Sequence, residues 1–133
     1  MDIKERVFEN HALKKYCCSK TVLNLSLEDL GWDEERRDPL VKAMGAYCGG
    51  LHEGLACGAL CGAKAVIFLV AEYEEAKETL GPEMMGWFKE RYGSWNCADI
   101  LDGDDSRKDT LCPLIMEDTY IKLRDMLEDI GAI

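Results

Sequence analysis

Cys57-Gly58-Ala59-Leu60-Cys61-Gly62, followed by Ala63-Lys64-Ala65-Val66-Ile67-Phe68-Leu69-Val70, is the stretch whose reading decides the fold. Its composition predicts a buried helix from Leu55 to Tyr73. Cys57 and Cys61 are four residues apart, as are Gly58 and Gly62, so each pair shares one helical face. A glycine inside a helix costs about 1 kcal/mol relative to alanine. Two of them beside two thiols imply close approach of another backbone or of a bound group. On the second alternative Gly58 and Gly62 are candidate cofactor-binding positions. The plainer alternative is a set of small core residues under a tightly crossing helix.

Working outward, the same helical period recurs on both sides. Val7, Phe8 and Leu13 lie among charges between Ile3 and Tyr16, an amphipathic pattern. Val22, Leu23, Leu25, Leu27 and Leu30 follow, and Gly31 suits the C-terminal cap. Asp38-Pro39 resembles an N-cap with proline at the first helical position, with Asp33 as an earlier alternative start. A glycine-rich connection, Cys48 to Gly54, leads into the central helix. Gly81-Pro82 punctuates the chain beyond it, and Met84, Met85, Trp87, Phe88 and Tyr92 recur at helical spacing up to Gly93. Asn96 can cap a short helix from Cys97 to Leu101, before a polar loop from Asp102 to Asp109. Pro113 suits the first turn of a last helix carrying Met116, Tyr120, Leu123, Leu127 and Ile130. No stretch alternates as a strand does, and no internal repeat is visible. The expected architecture is all-α, a single multi-helix domain over residues 1–133 with about five to seven helices.

Composition narrows the function. At 133 residues, 47% of them hydrophobic, the chain can bury a real core without staples. Its formal charge of −10, from 26 acidic and 16 basic residues, repels phosphate backbones and anionic lipid surfaces. Nucleic-acid partners are therefore not expected. The N-terminus is charged and no apolar h-region follows, and the longest apolar run is far too short to span a bilayer. A cytoplasmic, reducing location without membrane insertion is the expectation. In such a compartment seven cysteines point to redox chemistry or metal binding rather than to structural disulfides.

Four of these thiols share a placement. Cys18 opens the second helix, Cys57 the central one, Cys97 follows Asn96, and Cys112 precedes Pro113. Each falls at or near an expected helix N-terminus, where free N–H groups and the positive dipole end stabilise a thiolate. The chain also resembles the C_GCAxxG_C_C family, named for redox activity and a CGAxxG motif. The marks are Cys57 to Gly62, Cys18-Ser19 before Val22-Leu23, Gly49-Gly50, Phe88 to Gly93 with Asn96-Cys97, and Cys112-Pro113. The resemblance runs from Tyr16 to Leu127. It implies a small domain defined by Cys18, Cys57, Cys97 and Cys112. Cys17, Cys48 and Cys61 are additional to that pattern, and they blur which thiols would pair.

The expected function is thiol-based redox chemistry. A thiolate attacks a disulfide or an oxidant and a second cysteine resolves the product, with Cys57 as nucleophile and Cys18, Cys97 or Cys112 as its partner. A redox protein or a small thiol or oxidant would be the partner. The rival is a metal reading, in which Cys18, Cys57, Cys97 and Cys112 hold zinc or an iron–sulfur cluster without turnover. A third reading leaves the cysteines as packing residues of an interaction module. His52 could serve as ligand or proton carrier, although an exposed loop position is the plainer reading, as a surface position is for His11. Trp87, Phe88, Tyr92 and Trp95 read as core. Asp102, Asp104 and Asp105 read as a solvated turn, because Pro113 stands where a calcium loop needs glutamate. No Cys-x-x-Cys is present, which argues against a thioredoxin-like module.

Overall fold

The apolar periods become helices, and the richest of them lies at the centre. In the computed structural model, which describes residues 2–133, α2 (Cys18–Asp29) buries every residue from Thr21 to Leu27. A helix apolar on all sides has to be enclosed on all sides. Here α4 (Gly58–Val70), α8 (Lys108–Asp129) and α1 (Ile3–Phe8) provide much of the enclosure. The buried polar groups of α2 are satisfied locally: Ser26 donates to the Val22 carbonyl (2.8 Å) and Asn24 to Asn10 Oδ1 (2.7 Å).

The most extensive packing in the molecule is between α2 and α4, and the glycines make it possible. A Cβ on Gly62 would stand 2.7 Å from the Ser19 carbonyl oxygen. One on Gly58 would stand 3.1 Å from the Tyr47 carbonyl oxygen and 3.2 Å from the Ser19 nitrogen. Close approach of another backbone thus accounts for both positions. Ala59, Ala63, Val66 and Ile67 continue the buried face, joined by Met84 and Phe88 of α6 (Gly81–Tyr92) and by Met116, Tyr120, Leu123 and Leu127 of α8. Arg6 ties α1 to this core, donating to the Tyr120 hydroxyl (2.7 Å) and pairing with Asp29 (3.0 Å), which also accepts from Tyr120.

Several boundaries differ from the expectation. α4 starts at Gly58, because residues 55–57 are extended and pair with another segment. Asp33 caps α3 (Glu34–Ala43), accepting from the Arg36 N–H (2.9 Å), and Pro39 lies inside that helix. Gly81-Pro82 does not break the chain. Helical backbone begins at α5 (Tyr73–Glu75) and runs through a wide turn, Ala76–Leu80, into α6, and that turn accommodates a proline without an N–H. The last helix begins at Lys108, so Pro113 is internal to it and Cys112 lies in its second turn. α7 (Cys97–Ile100) is the short helix expected after Asn96. Phe88 is core as expected, whereas Trp95 is 37% exposed, with Lys89 over its ring. Among the described residues there is no strand, only an isolated antiparallel bridge between Ala56 and Asn96, and no helix is long and apolar enough to cross a membrane.

Candidate thiol site

The bridge is small but it builds the site. The Cys57 N–H donates to the Trp95 carbonyl (2.7 Å) and the Cys97 N–H to the Leu55 carbonyl (2.8 Å). Two extended segments, each leading into a helix, are thereby clamped side by side. Cys57 is the N-cap of α4 and Cys97 the first residue of α7. Their thiols are close enough for each to shift the other's acidity.

The environments of the two sulfurs differ, and so do their acidities. Cys57 is buried, 3% exposed. Its proton is held by the Cys97 sulfur, and burial adds to the effect, so its pKa rises well above the usual thiol range. The N–H groups of Ala59 and Leu60 pull the other way without prevailing. Cys97 receives that thiol hydrogen bond, the Gly58 N–H at the start of α4 and the nearby Lys108 charge. Against the opposing effect of burial these hold it down to about 7.

A second pair repeats the pattern. Cys18, the first residue of α2, donates its thiol hydrogen to Cys112 of α8. Its pKa is raised well above the ordinary value, first by that bond and then by burial. Cys112 is lowered, first by the same bond and then by Lys108, against burial and the charges of Cys97 and Asp109. Cys57 and Cys97 both lie within electrostatic reach of Cys18. The four expected cysteines therefore fall into two neighbouring pairs, Cys57/Cys97 and Cys18/Cys112, rather than into one cluster. Three of the four stand at helix starts; Cys112 does not, and the Cys18 hydrogen bond supplies what the helix terminus was expected to supply.

Of the additional cysteines, Cys61 sits one turn beyond Cys57, half-buried. Its pKa is raised by burial and by Cys97, and Lys64 opposes this. Cys17 and Cys48 form a disulfide, with Cα atoms 5.8 Å apart, that closes a separation of 31 residues. The reading of the seven cysteines had not anticipated a disulfide here. Cys48 opens a left-handed stretch in which Gly49, Gly50, Leu51 and His52 all have φ between 60° and 65°. His52 is exposed, its Nε2 2.9 Å from the Gly45 carbonyl, and His11 Nδ1 lies 2.8 Å from that of Tyr16. Ser19 was not singled out from the sequence. Its hydroxyl donates to the Met44 carbonyl (2.8 Å) and lies 3.3 Å from Cys17 Sγ and 3.8 Å from Cys48 Sγ. Lys108 was also missed, because its distance in sequence from Cys97 hides its proximity in space.

The metal reading can be tested on this geometry. Among the described residues, no three His, Cys, Asp or Glu side chains come together as a set that could hold a metal ion. As arranged, the cysteines fit two thiol pairs and not a tetrathiolate cage.

A helical domain with neighbouring thiols, three of the four at helix starts, is the class that fold and site define. The chain belongs to the family described as "Putative redox-active protein (C_GCAxxG_C_C)", which matches residues 16–126 and so takes in both pairs and the Cys17–Cys48 disulfide. No curated protein and no solved structure matches the chain.

Proposed function

We propose that this domain is a dithiol–disulfide redox module with two units, Cys57/Cys97 and Cys18/Cys112. The observation that carries the proposal is the asymmetry within each pair. In each pair one thiol, Cys57 or Cys18, holds its proton more tightly than an ordinary cysteine, and its neighbour, Cys97 or Cys112, holds it less tightly. In this reading Cys97, rather than Cys57, is the attacking sulfur of the first unit. Its thiolate attacks one sulfur of a partner disulfide, forming a mixed disulfide and releasing the other partner sulfur as a thiol. Cys57 loses its proton and attacks Cys97, closing Cys57–Cys97 and releasing the second partner thiol. Two electrons pass from the pair to the partner. Because Cys57 holds its proton tightly, resolution is the slower step. Cys112 and Cys18 would act in the same sense. The partner is a redox protein or a small disulfide.

The test is anaerobic purification with metal analysis, then full reduction, oxidation with oxidised glutathione, blocking with N-ethylmaleimide at low pH and disulfide mapping. The proposal expects Cys57–Cys97 and Cys18–Cys112 linkages. Stoichiometric iron or zinc that is lost in Cys57→Ser would replace it with the metal reading.

A further inference from the structure

The Cys17–Cys48 disulfide adjoins Cys18 through Cys17, and nothing in the mechanism above uses it. Cys17 and Cys18 are adjacent, the N-cap and first residue of α2. Cys48 follows Tyr47, whose carbonyl lies 3.1 Å from the point where a Gly58 Cβ would stand; the Cys18 Cβ lies 3.4 Å from that same point. The two sides of the disulfide thus converge on Cys18 across a gap that only a glycine leaves open. Ser19 Oγ lies within reach of both sulfurs, and Ser19 directly follows Cys18, so the disulfide and Cys18 share one turn of backbone. Cys17 and Cys48 are both partly exposed, as are Cys18 and Cys112.

The surroundings of the disulfide differ from the rest of the surface. On a chain of charge −10, Lys14 and Lys20 flank Tyr16, the residue before Cys17, each with its Nζ 6.0 Å from the ring. Positive charge beside a disulfide stabilises the thiolate that leaves when the bond is opened. These are the features of an exchangeable disulfide.

We propose that Cys17–Cys48 is a redox port that exchanges with Cys18 and Cys112. The proposal rests on the dithiol reading above and extends it by a second, accessible disulfide. Cys18 gives up its proton to the Cys112 sulfur and attacks Cys48 Sγ, forming Cys18–Cys48 and releasing Cys17 as thiolate. Cys112 passes that proton to Cys17 and, as thiolate, attacks Cys18 Sγ, forming Cys18–Cys112 and releasing Cys48 as thiolate. The inner pair is oxidised by two electrons, the outer pair is reduced by two, and no outside reagent is consumed. The reduced Cys17/Cys48 pair can then reduce an outside disulfide. Attack falls on Cys48 because attack on Cys17 would close a strained ring across adjacent residues.

The experiment starts from the full chain with Cys17–Cys48 closed and the other five cysteines reduced. It is held anaerobically at pH 8, blocked with N-ethylmaleimide at intervals and mapped by peptide mass spectrometry. The port predicts that Cys18–Cys112 grows as Cys17 and Cys48 become alkylated, at a rate independent of protein concentration and with the thiol count constant. In Cys112→Ser a Cys18–Cys48 linkage should be trapped. In Cys17→Ser/Cys112→Ser, oxidised with glutathione disulfide, Cys48 should be recovered joined to Cys18 whatever the stability of the native bond. Recovery of Cys17–Cys48 alone in the first two proteins, with Cys48 unpaired to Cys18 in the third, would overturn the port. If Cys57–Cys97 still forms under oxidation in those proteins, the dithiol reading stands without the port. If neither inner pair forms, that reading fails and the port with it.

Discussion

Gly62→Ala and Gly86→Ala are the same chemical change and should have opposite effects. Gly86 is exposed in the middle of α6, and a Cβ there meets nothing within 4 Å. Alanine should therefore give the ordinary helical gain of about 1 kcal/mol. That raises Tm by about 3–5 °C for a domain of this size. Gly62 would gain the same propensity, but its Cβ would stand 2.7 Å from the Ser19 carbonyl oxygen and 3.3 Å from the Ser19 Cα. Both obstacles are backbone, so α2 has to move by about half an ångström or more, and overpacking of this kind costs about 1–3 kcal/mol. With backbone as the obstacle the upper part of that range applies. The net loss is about 1–2 kcal/mol, a Tm lowered by about 3–10 °C. Thermal unfolding of the two variants by circular dichroism, under reducing conditions, reads both signs. The same displacement moves Ser19 and its neighbour Cys18, so Gly62→Ala should also slow formation of the Cys18–Cys112 disulfide. If Gly62→Ala stabilises the protein as Gly86→Ala does, the packing argument for the CGAxxG glycines is wrong.

Two further substitutions probe the buried polar groups. Thr119 Oγ1 is buried and has no hydrogen-bond partner among the described residues, so Thr119→Val should raise stability by about 1 kcal/mol in urea unfolding, with the slope m unchanged. The Tyr120 hydroxyl accepts from Arg6 and donates to Asp29. Tyr120→Phe leaves both without that partner and should cost about 1–3 kcal/mol by the same measurement.

Much of this arrangement was legible in the residues, and what was not has local causes. Gly58 and Gly62 implied a close backbone, and the Ser19 backbone is there. Val22 to Leu27 and the stripe from Met116 to Leu127 implied helices, and both are buried as their periods require. Boundaries were harder to read where a proline was taken as a start. Pro113 and Pro39 are each the sixth residue of a helix, so each helix forgoes one i→i−4 hydrogen bond, and sequence alone does not show that helical backbone begins five residues before the proline. The extended pairing of residues 55–57 with 95–97 was invisible because three residues carry no alternation. It is nevertheless what brings Cys57 to Cys97. The Cys17–Cys48 bond joins residues far apart in sequence through the path of α3, a distance that spacing rules do not reach. The polarity of each thiol pair depends on which sulfur is deeper and which faces Lys108, and that is set by tertiary packing.

The central claim is that Cys97 is held as thiolate by the Cys57 thiol, and the rate of alkylation of each cysteine against pH tests it most directly. Fully reduced protein is pulsed with iodoacetamide between pH 5 and 10, and modification is quantified residue by residue. A lowered pKa means that the reactive thiolate appears on raising the pH through about 7 and is lost below it. The account predicts that Cys97 alkylates with a midpoint of about 7, while Cys57 stays unreactive to well above pH 9. In Cys57→Ala the Cys97 midpoint should move up toward the ordinary thiol value, since its largest stabilising contact is gone. A Cys97 midpoint near 9 in the native chain, or Cys57 reacting first, would contradict it.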